Sequence, residues 1–505
     1  MNYPSKRISR AKEIFSSPYA WCMTTYFAEG FPFSIIRTLS SLFFRDMKVS
    51  LESIGLTSLF GLPWVLKFLW SPHIDTFGTK RGWMLIMQSL LAIATAITAL
   101  LVPLPFAIPA IATLFLLASF IAATHDVAID GYYMEALDKE GQAKFVGYRI
   151  MAYRVAMITG TGVIATIGTT LNWGIAFMIA AGLLVVLVVY HYFFLPKCEV
   201  AKRPMAEGLR WFINLKVLAS TLLLATFIIA IRYYLGSQHF SELKTIHPLL
   251  KEFNFASIIG ILLLLSLVLL TLLRKKIKQS LFKNDPDSFY SRAFVAFIDR
   301  PHIAIMLAVI ILLRTGEAML TAMVSPFIVD LGIKAHYGWI SGGVGLVASI
   351  VGAMMGGHII SRFSLRSVLW PILALQNLTN LVYMVLGLYL SDFIVQNTAA
   401  SEPLFIGDLN LALVAFVHGF DQWAGGLGTA VLTTFIMRLC LQEYKAVHFA
   451  IGTGLMSISG LMIGAVSGFM VAEMGYGIFF GVSFLFSIPS MILILFLPKD
   501  LINQS

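Results

Sequence analysis

The sequence predicts an all-α polytopic membrane protein with 14 transmembrane helices, arranged as two sets of six with an inserted pair. Two observations predict it. The 505 residues are 58% hydrophobic and only 12% charged, with a mean hydropathy of +0.84, far short of the roughly one-quarter charged residues of a soluble domain. The apolar residues are also gathered into runs of about 20 or more, each long enough to cross a hydrocarbon core of about 30 Å. A surface this poor in charge excludes a soluble enzyme.

The first six spans fall at 17–43, 52–74, 83–103, 107–133, 145–169 and 173–195. The N-terminus is basic (Lys6, Arg7, Arg10, Lys12), but the apolar stretch after it is long and has no small-residue cleavage signal, so it reads as a retained first span. The basic, partly amphipathic stretch from Lys202 to Lys216 suits the inner interface. Two strongly apolar spans follow at 216–235 and 253–273, the second containing LLLLSLVLLTLL, which suits lipid-facing helices. The basic linker from Arg274 to Lys283 leads to six further spans at 301–327, 337–361, 367–390, 409–436, 445–470 and 475–497.

This count predicts transport halves at residues 1–195 and 285–505, separated by 196–284. Segments placed inside hold 23 Lys plus Arg and those outside hold five, an imbalance that sets both termini in the cytoplasm. The net charge of +10 therefore reports topology and does not predict a nucleic-acid partner. Cys22, Cys198 and Cys440 are spaced for neither a zinc site nor a disulfide framework. No dinucleotide fingerprint or phosphate loop is present, and no cofactor, metal or nucleotide-driven pump is expected.

An unpaired ionisable group in hydrocarbon costs about 2.5 kcal/mol or more, so those within spans are expected to face a cavity or a partner. They are Glu29 and Arg37 in the first span, Lys67 in the second, Asp126 and Asp130 in the fourth, and Arg154 in the fifth. Arg314 and Glu317 lie in the span after the extra pair, and His418, Asp421, Gln422 and Trp423 in the span at 409–436. Glu29, Glu317 and Asp421 lie near mid-span, where a carboxylate can take a proton at one face and release it at the other; a fixed ion pair between helices is the alternative. Asp126 and Asp130 share one helix face, and Arg149 and Arg154 approach from the same inner side. That pattern favours a gate network, with a structural clamp as the alternative. Arg37, Lys67 and Arg314 suit an anionic, polar solute, although Arg314 and Glu317, three apart, are also spaced to pair. Trp64, Phe68, Trp70, Tyr148, Tyr153 and Trp423 are candidates for stacking on sugar rings or for packing. The scattered histidines form no catalytic constellation, so no enzyme is expected.

Several segments carry a family resemblance. The loop SPHIDTFGTKR, with Asp75, Gly78, Lys80 and Arg81, and its later counterpart GGHIISRFSLR, with Gly357, Arg362 and Arg366, resemble the loop between helices two and three of the major facilitator superfamily. FAEGFPFSIIRTLSS at 27–41, IGLTSLFGLPWVLKFLWSPHID at 54–75, KRGWMLIMQSLLA at 80–92, THDVAIDGYYMEAL at 124–137 and VGYRIMAYRVAM at 146–157 resemble the AmpG-type muropeptide permeases. This is the branch of the superfamily that also holds acetyl-CoA transporters. In the second half, SGGVGLVASIVGAMMGG at 341–357 and GGLGTAVLTTFIMRLC at 425–440 resemble it too.

The resemblance implies a proton-coupled importer of anhydromuropeptide in a bacterial inner membrane, acting in cell-wall recycling. It implies matching roles for Asp126, Asp130 and Arg149, and the superfamily loop a role for Asp75 and Arg81. Its partners would be a small anionic solute, protons and the lipid bilayer, and a monomer suffices. Departures are His125 in place of the usual glutamine, Glu29 in place of a small polar residue, and Glu317 and Asp421 where aspartate and glutamate are expected. The extra pair also lies between the halves, not at the C-terminus. Another anionic cargo, such as acetyl-CoA or a siderophore, is the alternative.

Overall fold

In the computed structural model, residues 13–496 are described apart from 68–69, 200–202, 208–233, 235–236, 247–275, 277–288, 300–302, 364, 400–403 and 442–444. All regular structure among the described residues is helical, and eight helices there are long and apolar enough to cross a membrane. The protein is a multi-pass helical membrane protein. The expected extra pair at 216–235 and 253–273, most of the amphipathic stretch and nearly all of the basic linker lie outside the described residues.

The first span is built from α1 (Pro18–Phe33), a π-helical turn at Ser34–Leu39 and α2 (Ser40–Asp46). Ser17 caps α1 through the Ala20 N–H, with Pro18 in the first turn, where its missing donor costs nothing. The second span, expected as one helix, is instead α3 (Leu51–Leu56), a 3₁₀ segment, α4 (Leu62–Leu66) and α5 (Ser71–Thr76). Pro63 and Pro72 each start a new short helix, because proline fits the first turn but breaks an interior one. Then come α6 (Lys80–Leu101), α7 (Ala107–Ala136), α8 (Lys139–Ile158), a π turn at Thr159–Ile164, α9 (Ala165–Thr170) and α10 (Trp173–Phe194). Thr79, Asp138 and Asn172 cap α6, α8 and α10.

Beyond α10 are α11 (Gln238–Ile246) and α12 (Phe289–Ile298), which fall between the spans read from sequence. The span expected at 301–327 is divided into α13 (Ile303–Leu312) and α14 (Thr315–Asp330), with the break at Leu313–Arg314. A π turn at Gly338–Gly345 precedes α15 (Leu346–Arg362), followed by α16 (Leu365–Tyr389), α17 (Ser391–Ala399), α18 (Asp408–Arg438) and α19 (Lys445–Leu495). The two spans expected at 445–470 and 475–497 meet inside α19 at Gly475, whose φ of 75° is a conformation glycine adopts without steric cost.

The contacts divide the chain into two units. One comprises Met1–Val49, Phe60–Ser241 and Ala335–Gly342; the other comprises Ser50–Leu59, Glu242–Lys334 and Gly343–Ser505. In the first, α1 packs on α8 and α6 packs on both α7 and α10. In the second, α14 and α16 pack on α19, and α18 on α15 and α16. The core of the first unit gathers Trp21, Tyr26, Trp83, Met84, Ile129 and Tyr132, and that of the second Met306, Leu369, Val431 and Phe435. Their outer faces carry exposed Leu, Ile, Val and Phe such as Leu100, Leu117, Val186 and Leu485, as expected where lipid replaces water.

Candidate functional site

In the first unit, α1 carries Tyr26 and Glu29 one turn apart, and α7 carries Asp126 and Asp130 one turn apart. Their packing brings the carboxylates of Glu29, Asp126 and Asp130 within 4.8 Å of one another. Sequence reading separates Glu29 from the two aspartates by role; the fold makes them one cluster. Lys67 Nζ donates to Asp126 Oδ2 at 2.5 Å, and Arg149 Nη2 to Asp130 Oδ1 at 3.0 Å. Tyr26 Oη also donates to Asp130 Oδ1, at 2.8 Å. The Arg149 guanidinium lies over the Tyr26 ring at 4.4 Å from its centroid and near the Tyr133 ring at 5.2 Å, where aromatic faces attract a cation. Tyr26 escapes sequence reading, although its place three residues before Glu29 puts it on the same helix face.

Arg37 lies in the π turn after α1, and the charges of Arg37, Arg154, Glu29 and Asp126 all bear on the buried Tyr153 hydroxyl. The loop before α6 is tied to the segment after α10. Arg81 donates to the carbonyls of Tyr192 and Leu195 at 2.6 and 3.0 Å, satisfying the otherwise unpaired C-terminus of α10. Glu199 accepts the backbone N–H groups of Lys80 and Arg81 at the start of α6, and the Gly78 N–H bonds to the Arg203 carbonyl. The side chain of Asp75 lies outside those described. Glu199 has no sequence signal beyond being an acid just past a span.

In the second unit, Arg314 Nε and Nη2 donate to the two Glu317 oxygens at 2.8 and 2.5 Å. The bidentate pair forms at the break before α14, so Arg314, a sequence candidate for solute binding, is held by a protein carboxylate, as Lys67 is in the first unit. Asp421 is buried in α18 and accepts from Thr379 Oγ1 at 2.7 Å and Gln422 Nε2 at 3.2 Å. One turn earlier, His418 Nδ1 lies 2.9 Å from Tyr383 Oη. Trp423 stacks on Phe420 and donates to Met355 Sδ at 3.4 Å. Thr379 and Tyr383, both on α16, are the partners that sequence reading misses, since they lie about 40 residues away and only packing brings them in. Of the aromatics, Trp70 is tied to Thr124 at 3.1 Å and Trp64 packs on Phe33; Phe68 lies outside the described residues.

These groups form ion pairs and hydrogen-bonded carboxylates, of which Asp126, Asp130, Arg149, Arg314 and Glu317 lie on helices long and apolar enough to cross a membrane, an arrangement suited to moving charge across a bilayer. The chain is similar to the anhydromuropeptide permease of Escherichia coli (strain K12), 24% identical over 96% of this chain and 81% of that one. It is likewise similar to the putative transporter AmpG 4 of Rickettsia conorii, 23% identical over 93% of each. Its fold is similar to the crystal structure of a POT family transporter in complex with 5-aminolevulinic acid, with a TM-score of 0.63, 13% identity and 96% of each chain covered. It also resembles the nucleoside transporter NupG, with a TM-score of 0.58, 15% identity, and 97% of this chain and 100% of that one covered. The family model described as Major Facilitator Superfamily matches residues 22–397, well over half of the sequence, and the chain belongs to that superfamily as a transport protein, not an enzyme.

Proposed function

We propose that the chain imports anhydromuropeptide, N-acetylglucosamine joined to anhydro-N-acetylmuramic acid with or without peptide, across a bacterial inner membrane by proton-coupled alternating access. One observation carries the coupling. Five ionisable side chains, Glu29, Lys67, Asp126, Asp130 and Arg149, meet in a single cluster. Keeping such groups among spanning helices costs several kcal/mol that a passive scaffold has no reason to bear. The cargo is supported by the likeness to the Escherichia coli permease along almost the whole chain.

In this reading, residues 1–195 and 285–505 form two six-helix halves, and 196–284 contributes an inserted pair, giving 14 helices with both termini in the cytoplasm. Glu29, Glu317 and Asp421 carry protons, while Asp126, Asp130, Arg149, Arg154, Asp75 and Arg81 belong to the gate. Arg37, Lys67, Arg314, His418, Gln422 and Trp423 meet an anionic solute, the cations once released from their carboxylates. The protein works as a monomer.

The test is uptake of labelled anhydromuropeptide into proteoliposomes, with and without an inward proton gradient, alongside Asp126→Asn. Gradient-driven uptake that is lost in the variant is expected. Proton movement without muropeptide uptake would overturn the cargo and direct the search to other anionic solutes, such as acetyl-CoA or a siderophore.

A further inference from the structure

The charges of the cluster in the first unit do not balance when every group is ionised. Glu29, Asp126 and Asp130 bring three negative charges when ionised, and the cations acting on Glu29 are Lys67 and Arg149. Lys67, Asp130 and Arg149 are about one-third exposed, whereas Asp126 and the Glu29 Oε2 are enclosed, so the excess negative charge is costly on that pair and a proton there is the least expensive remedy. Proximity points to the same proton. The carboxylates of Glu29, Asp126 and Asp130 lie within 4.8 Å of one another, and like charges this close disfavour full ionisation.

Its seat follows from the partners. Asp126 is held as an anion by Lys67, and Asp130 by Arg149 with the Tyr26 hydroxyl. Glu29 is in hydrogen-bond contact with neither cation, and its Oε2 is buried with no hydrogen-bond partner. The other titratable groups facing this cluster are Tyr153, itself close to Arg37 and Arg154, and Tyr133, beside Arg149. His125 is the neighbour of Asp126 in sequence, and both of its ring nitrogens are buried without partners.

We propose that Glu29 carries one exchangeable proton, and that this proton alone brings the five-group cluster to neutrality. This deepens the proton-coupled reading above and rests on it. The two aspartates serve as fixed anchors for Lys67 and Arg149, and Glu29 is the group that loads and unloads. When its proton leaves, three carboxylates compete for two cations. Lys67 and Arg149 are then drawn from their present partners, and the contacts tying α1 and α7 to α8 rearrange. Proton occupancy thereby becomes a change in helix pairing.

The experiment is infrared spectroscopy of the full-length chain in lipid nanodiscs near neutral pH, following the carbonyl stretch of protonated carboxylic acids. It needs neither cargo nor gradient, so its outcome is separable from that of the uptake test. Carbon-13 placed in glutamate side-chain carboxyls is expected to shift one component of the band, equivalent to one group per chain. Glu29→Gln removes that component, and Lys67→Met, which strands Asp126, adds one protonated group. The wild-type isotope shift and the Lys67→Met count decide the matter even if Glu29→Gln fails to fold. A band with no component that shifts on glutamate labelling would overturn the assignment, as would a glutamate component unaffected by Glu29→Gln. Absence of any such glutamate component, with a sodium-dependent spectrum in its place, would mean that a metal cation neutralises the cluster.

Discussion

A methyl group at Gly468 tests how tightly the second unit is packed. Here α19 passes α3 so closely that an added Cβ would run into the Leu51 carbonyl, with its carbon at 2.7 Å and the Gly55 nitrogen at 3.0 Å. From the other side, a Cβ at Gly55 would meet Ala465 O and Gly468 N at 2.8 Å. Every obstacle is backbone, which cannot rotate away, whereas carbon atoms sit comfortably at about 3.5–4.0 Å. The helices must therefore part by about 1 Å in Gly468→Ala, losing the close contact that small residues give spanning helices. Over-packing of this kind costs about 1–3 kcal/mol, or roughly a 5- to 150-fold shift in the folding equilibrium. Gly464→Ala, on the same helix, is the control. Its Cβ meets the side chain of Ser58, with Oγ at 2.5 Å and Cβ at 3.0 Å, and because side-chain atoms yield more readily than backbone the cost is expected to be smaller than in Gly468→Ala. Thermal unfolding in detergent compares the two. A Gly468→Ala protein as stable as wild type, or no less stable than Gly464→Ala, would refute the packing argument.

Three further perturbations test the charged groups. Glu317→Gln leaves the Arg314 guanidinium without its anion; because that side chain is 36% exposed, the cost is about 1–3 kcal/mol, below the figure for a fully buried pair. Thermal unfolding should show most of the loss recovered when Arg314→Met is added. Tyr26→Phe removes the 2.8 Å bond to Asp130, and a hydrogen bond to a charged group is worth about 1.5–3 kcal/mol, again read as a lowered unfolding temperature. Outside the spans, burial pushes the Glu199 carboxyl above the usual glutamate range, although it accepts the Lys80 and Arg81 N–H groups. The folded chain thus holds this proton more tightly than the unfolded chain does. Its stabilising contribution is full below the ordinary glutamate range and is lost as pH rises through the folded value. Glu199→Gln should flatten that part of the profile of unfolding temperature against pH, and an unchanged profile would assign the dependence to another group.

The span limits of α6, α7, α10, α16 and α18 were legible in sequence, because an apolar run bounded by caps and charges leaves a helix nowhere else to begin or end. The breaks within spans were not. The π turns at Ser34–Leu39, Thr159–Ile164 and Gly338–Gly345 lie inside the expected apolar runs, so a reading of hydrophobic run length passes over them. In the first unit they occur where chains touch: a Cβ at Gly160 would strike the side chain of Ser34, and one at Gly342 would lie 2.8 Å from Gly162 Cα. Such contacts are tertiary, and the local sequence records them only as glycines.

The same division holds at the site. The sequence by itself singled out Glu29, Lys67, Asp126, Asp130, Arg314, Glu317 and Asp421, since an ionisable residue in an apolar run is conspicuous at any distance from its partners. Tertiary structure decided who pairs with whom. Lys67 with Asp126 bridges 59 residues, Tyr26 with Asp130 bridges 104, and Thr379 with Asp421 bridges 42. Only Arg314 and Glu317, one helical turn apart, could be paired from spacing. Hydrophobicity is a property of each segment and can be read one residue at a time. Charge neutralisation is a property of the space between segments, and it exists only once the helices have packed.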